Sequence, residues 1–129
     1  MVIFESVLVD TDILIKAFRG DKIKQNNLKH LKDKYCISVI TACELLNGAR
    51  NFNQRVEFNK ALRFYTIAPM DERISEIAFS LFKKYSFANT MKISDSFIAA
   101  TSVRHDFLLY TDNKKDFNFI EGIKFYNEK

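Results

Sequence analysis

Residues 7–16 read VLVDTDILIK, and two acids in that stretch decide how the rest of the chain is read. Val7 to Val9 is apolar and partly β-branched, the pattern of a buried strand. It stops at Asp10, and a second acid, Asp12, follows before apolar residues resume at Ile13, Leu14 and Ile15. A desolvated carboxylate is costly unless it is paired or holds a cation. The two acids therefore mark either a surface break between elements or a site.

Working outward, residues 6–9 form a first strand, and Asp12 to Phe18 has helical character that Gly20 is placed to stop. Residues 23–31 carry Ile23, Leu28 and Leu31 among lysines, a surface helix. Tyr35–Ser38 is a short strand, and a helix runs from Thr41 or Ala42 to about Gly48. Another helix fits residues 54–63, with Phe58 and Leu62 four apart. Residues 64–68 form the next strand, ended by Pro69. Asp71 then caps the clearest helix, with its apolar stripe at Ile74, Ile77, Ala78, Leu81 and Phe82. A helix through Ile93, Phe97 and Ala100 has Ser94 as its expected N-cap. Residues 107–110 and 122–126 close the series as strands. Strands alternating with helices predict an α/β domain with a mainly parallel sheet and helices on both faces.

The bulk numbers agree. The 129 residues suit a single domain spanning 1–129, and 47% hydrophobic with 28% charged residues is globular. Three glycines and one proline leave no room for a linker-rich segment. The net charge of +4 is compatible with a nucleic-acid partner without demanding one. Lysines are dense between Lys22 and Lys34 and again at Lys114 and Lys115, which a solvated helix face explains equally well. Glu5 and Asp10 interrupt what a signal peptide would need, and no apolar run reaches membrane-spanning length, so a cytoplasmic protein with no membrane partner is expected. Cys36 and Cys43 read as two buried free thiols, since a zinc site would need further soft ligands close by.

The acids fall in a pattern on this skeleton. Asp10 lies past the first strand, Glu44 in the helix after the second, and Asp95 beside Ser94. Asp112 and Asp116 flank Asn113 after the strand at 107–110. Taken singly, acids near helix N-termini are favoured by capping and the helix dipole. As a set they lie beyond strand carboxyl ends, where open parallel sheets form ligand sites. Crowded carboxylates repel one another, and a divalent cation removes that conflict. Oxygen-only donors argue for Mg²⁺, with Mn²⁺ as the alternative, and so for phosphate chemistry. His30 and His105 have no spacing that supports a two-histidine acid–base mechanism.

Four blocks, VLVDTDILI, ISVITACELLNGA, KISDSFIAATSV and LLYTDNKKDF, occur in that order and span nearly the whole chain. Together they resemble the PIN-domain ribonucleases, and more narrowly the VapC toxins of bacterial toxin–antitoxin pairs. The resemblance implies a three-layer α/β/α fold with a central, mainly parallel sheet. It implies an endoribonuclease that hydrolyses RNA by metal-activated water, leaving a 5′-phosphate and a 3′-hydroxyl. Carried over by position, Asp10 matches the first catalytic aspartate, Glu44 the glutamate of the second block and Asp95 the aspartate of the third. The fourth position falls among Asp112, Asn113 and Asp116. Asp116 is placed in the catalytic set, with Asp10, Asp95 and Glu44 as metal ligands and Asp112, Asn113 and Asp12 as outer-shell candidates. The family usually has Asn or Ser where this chain has Asp12, which is read here as the N-cap of the following helix with a water-mediated metal contact. Thr11 is expected to be structural. The resemblance also implies RNA as substrate, a cognate antitoxin and a homodimer, with the antitoxin expected along Leu45, Leu46 and the helix at 54–63.

Two other readings fit parts of the sequence. DTD after an apolar strand is similar to haloacid-dehalogenase-type phosphatases, with Asp10 as nucleophile and Asp12 as acid/base. Leu14 stands where that family has Thr or Val, and the later acid pair is missing. A degenerate PIN fold that binds RNA or protein without cutting is the second, and the retained acids argue against it.

Overall fold

A computed structural model describes residues 6–129, so Glu5 lies outside the described residues. The elements, in order, are β1 (Val7–Val9), α1 (Thr11–Phe18), α2 (Lys22–Leu31), β2 (Tyr35–Ser38), α3 (Val39–Asn47), α4 (Phe52–Leu62), β3 (Ile67–Ala68), α5 (Glu72–Tyr85), α6 (Ile93–His105), β4 (Leu108–Tyr110) and β5 (Lys124–Phe125). The strands form one five-stranded sheet in the order β3-β2-β1-β4-β5, and every pairing is parallel. The expected α/β/α architecture is present, with β1 at the centre.

Strand alternation sorts the core into two layers. Val7, Val9, Ile37 and Tyr110 face one side, where Ile13 and Leu14 of α1, Leu31 of α2, Leu45 of α3 and Phe58 of α4 cover them. Leu8, Cys36 and Leu109 face the other, under Ile98 and Ala99 of α6. The predicted stripe on α5 buries Ile74 and Ala78 against Ala100 of α6. α5 therefore lies on the sheet's second side, outside α6 for part of its length.

Local chemistry explains the boundaries. Asp21, Asn51 and Asp71 cap α2, α4 and α5 by accepting the amides of Lys24, Gln54 and Ile74. Gly20 takes φ +99°, a conformation L side chains rarely adopt, and lets the chain leave α1. Residues 64–66 are not strand: the amides of Phe64 and Tyr65 still bond to carbonyls of Ala61 and Leu62, so the chain is unwinding from α4 and β3 begins only at Ile67. The strand expected over 122–126 shortens to β5 because Gly122 sits in a left-handed turn.

Four expectations need correction. Ser94 is not the N-cap of α6; that position is Lys92, whose side chain makes no capping bond. Asp12 is not the N-cap of α1; Asp10 is, because the helix starts one residue earlier, at Thr11. Cys43 is exposed, while Cys36 is buried as expected. Leu45 is fully buried in the core and lines no surface groove, whereas Phe52 and Val56 of α4 are exposed. Among the described residues no helix is long and apolar enough to cross a membrane.

Candidate active site

Asp10 emerges from the central strand and is only 7% exposed. Its amide donates to the Tyr110 carbonyl at 2.9 Å, continuing the β1–β4 ladder one step past the strands. Its carboxylate is gripped on both oxygens. Oδ1 accepts the Thr11 amide at 2.8 Å and Oδ2 accepts the Thr111 hydroxyl at 2.9 Å. Thr111 follows Tyr110, the residue paired with Val9, so the two side chains leave neighbouring strands side by side. Burial pushes the Asp10 carboxyl up to about 7; the Asp12 charge, and more weakly that of Asp95, add to the rise, and the bonds from Thr111 and Thr11 oppose it.

Asp95 sits in the first turn of α6. It is pushed up to about 6, first by burial, then by Asp116, with Glu44 and Asp12 contributing and Lys92 pulling the other way. Asp116, Glu44 and Asp12 are thus each within electrostatic reach of Asp95. Glu44 is oriented by Thr11, whose hydroxyl donates to Oε1 at 2.8 Å. Thr41 Oγ1 stands 3.2 Å from that hydroxyl and 3.3 Å from Ser38 Oγ, and Ser38 itself caps α3 through the Thr41 amide. Thr11 thus has a specific task beyond filling space, joining the end of β1 to α3.

The three groups of the fourth block separate. Asp112 turns to two lysines, Lys16 at 2.6 Å and Lys24 at 3.0 Å, on its two oxygens. Burial alone would raise its carboxyl, but the bonds from Lys16 and Lys24 hold it below the usual range. Asn113 donates through Nδ2 to Asp12 Oδ2 at 3.2 Å. Asp116, at the end of a short 3-10 turn (Lys114–Asp116), is the one whose charge is felt at Asp95. Asp12 accepts the Ile13 amide on Oδ1 and the Asp112 amide on Oδ2, which clamps α1 to the loop after β4.

Nothing in the sequence patterns described above singles out Ser38, Thr41 or Thr111 as site residues. Thr111 carries a usable signal, because it directly follows β4 as Asp10 directly follows β1. The hydroxyls of α3 carried none that distinguishes them from ordinary caps.

The donor set suits a hard divalent cation. Asp10, Glu44, Asp95 and Asp116 offer only carboxylate oxygens. Among the described residues no ion pair involves Asp10, Glu44, Asp95 or Asp116, and Lys92 offsets the repulsion at Asp95 only in part. Among the described residues no group of three or more acidic, His or Cys side chains is drawn together closely enough to hold an ion. Mg²⁺ retains several waters and uses one or two carboxylates, so the donor chemistry of Asp10 and Asp95 fits it without such a group.

The PIN-domain sequence profile matches residues 7–121. The chain belongs to the PIN-domain family. Within it the chain groups with VapC: it is 32% identical over 126 residues to Ribonuclease VapC1 of Methanocaldococcus jannaschii, covering 95% of this chain and 88% of that protein. A chain in a solved toxin–antitoxin complex from Klebsiella pneumoniae is also 32% identical, with a TM-score of 0.79 over 96% of this chain and 100% of that one. The fold alone is matched by VapBC2 from Rickettsia felis bound to a promoter DNA fragment, at 20% identity and TM-score 0.82 over 95% of this chain and 98% of that one. PIN membership displaces the dehalogenase-type reading. The geometry agrees, since that chemistry needs Asp12 free as an acid/base and here its carboxylate accepts N–H groups from Ile13, Asp112 and Asn113.

Proposed function

We propose that this PIN domain is a Mg²⁺-dependent endoribonuclease, with Mn²⁺ as an alternative ion, and the toxin of a toxin–antitoxin pair. The observation that carries the metal is Asp10: a buried carboxylate at the centre of the sheet's carboxyl edge, pushed up by burial and by neighbouring acids, with no basic partner among the described residues. RNA and antitoxin enter through the relatives, which are named as a ribonuclease and solved in a toxin–antitoxin complex. A homodimer is part of the same proposal.

Asp10 and Asp95 would hold the ion, with Glu44 and Asp116 completing the set. Bound there, Mg²⁺ would supply charge stabilisation at the scissile phosphate and a more acidic attacking water. The chain's own contribution is orientation. Thr111 and the Thr11 amide fix both oxygens of Asp10, so its carboxylate enters the site without free rotation. The Thr11 hydroxyl fixes Glu44. The low exposure of Asp10 keeps bulk water from competing for its oxygens and strengthens its attraction for any cation.

The test is cleavage of a fluorescent RNA by the purified chain, run beside calorimetric titration with Mg²⁺ and Mn²⁺. Cleavage should need the ion, stop with EDTA and be lost in Asp10→Asn and Asp95→Asn. Full activity in either variant, or in EDTA, sinks the proposal. Metal binding without cleavage of any RNA tried would favour the non-catalytic alternative. Co-expression with the cognate antitoxin should give an inactive complex, and release of the antitoxin should restore cleavage.

A further inference from the structure

Lys24 is the most deeply placed lysine at the edge of the site. Its side chain is 8% exposed, against 47% for Lys16, the other cation on Asp112. A buried ammonium needs a full set of partners. Lys24 reaches from α2 to Asp112 Oδ1 at 3.0 Å and to Glu128 Oε2 at 2.7 Å. The buried Tyr110 hydroxyl donates to the same Glu128 oxygen at 2.6 Å. The segment that carries Glu128 is tied to α2 a second time: Asn27 Oδ1 accepts both the Tyr126 hydroxyl and the Lys129 amide at 2.8 Å. One ammonium therefore joins α2, the end of β4 and residues 126–129, which are far apart in sequence.

Asp112 opens the loop that carries Asn113 and Asp116. Its amide donates to Asp12 and the Asn113 amide donates to the Thr111 hydroxyl, the group that also holds Asp10. Whatever fixes Asp112 fixes the start of this loop. Exposed ion pairs such as Lys16–Asp112 hold little, because water and side-chain entropy compete with them. The buried member of the pair is better suited to the task.

We propose that Lys24 is a positioning residue for the site: by pinning Asp112 against α2 and Glu128, it sets the loop at 111–116 and with it the placement of Asp116 and Asn113. The part of this that concerns metal binding rests on the function proposed above; the pinning of the loop does not.

The test reads both parts separately. Amide hydrogen exchange by NMR on the metal-free chain should show the Asp112 and Asn113 amides exchanging about tenfold or more faster in Lys24→Met, with β1 and α5 amides at wild-type rates. Asp112→Ala breaks the same link from the loop's end and should give the same local pattern, which keeps the test decisive if Lys24→Met folds poorly. Mn²⁺ affinity by calorimetry should fall about tenfold in Lys24→Met, in the range seen when outer-shell partners of metal ligands are lost. Lys24→Arg, which keeps the charge and donors, should restore loop protection at least in part. Unchanged exchange at Asp112 and Asn113, or an equal acceleration across the whole fold, overturns the positioning role. If the wild-type chain binds no Mn²⁺, the proposed function fails while the exchange data still decide the role of Lys24.

Discussion

Asp10 combines three demands on one side chain. It caps α1, it accepts the Thr111 hydroxyl, and it carries charge in a buried place beside other acids. Asparagine can keep the cap and a polar contact with Thr111 while removing the charge. Asp10→Asn should therefore lose ion binding and cleavage yet leave the metal-free fold more stable at pH 8, by about 1–3 kcal/mol, with little gain at pH 4. Urea unfolding in EDTA at the two pH values checks this; a variant less stable than wild type at pH 8 would contradict it. Thr111 makes a complementary prediction. Thr111→Val removes the donor to Asp10 Oδ2 and the acceptor of the Asn113 amide. Mg²⁺ affinity should drop about tenfold, and an unchanged titration would show that the hydroxyl does not orient Asp10.

At the scale of elements, the clamp between α1 and the loop after β4 changes what Asp12 is expected to do. As a simple cap, Asp12 would tolerate asparagine. The carboxylate instead accepts from Ile13, Asp112 and Asn113, with two of those donors on one oxygen. An asparagine offers a single acceptor oxygen and must turn its NH₂ toward at least one N–H group. Asp12→Asn should cost about 1 kcal/mol and Asp12→Ala about 1–3 kcal/mol in urea unfolding with the ion bound. Equal stability of all three proteins would mean the clamp contributes nothing. The α5 cap is the local control. Asp71 accepts the Ile74 amide at 2.7 Å, so Asp71→Ala should cost about 1 kcal/mol without altering cleavage. A large loss of activity there would indicate an unexpected link between α5 and the site.

Across the whole molecule, the raised carboxyls of Asp10 and Asp95 set the pH dependence. The native state binds more protons than the unfolded chain between the ordinary carboxylate range and about pH 7. Metal-free stability should therefore fall as pH rises from about 4 through 7. Mg²⁺ should reverse this most strongly at the alkaline end, where protons no longer compete with it, adding about 2.7 kcal/mol at a hundredfold excess over Kd. Melting curves at several pH values, with EDTA and with Mg²⁺, check the sign. A metal-free stability that climbs from pH 4 to pH 8 would refute the assignment of the raised groups.

The alternation of short apolar strands with helices was legible along the chain, because burial on a parallel sheet leaves continuous runs such as Val7–Val9 and a clear stripe such as that of α5. So was the order of the acid blocks, since each follows a strand end or opens a helix. Helix and strand margins were less legible near Phe64 and Lys92. Phe64 has strand-forming character but is 88% exposed and still bonded into the end of α4, and Lys92 caps nothing with its side chain. The division of labour among Asp112, Asn113 and Asp116 belonged to the tertiary structure. In a loop, strand alternation no longer fixes side-chain direction, and the partners that choose it, Lys24 and Asp12, lie about a hundred residues away in the chain. The sequence alone determined which chemistry the acids could offer. Only the packing of α1 and α2 against the end of β4 decided that Asp112 is the acid held by lysine, leaving Asp116 as the one whose charge is felt at Asp95.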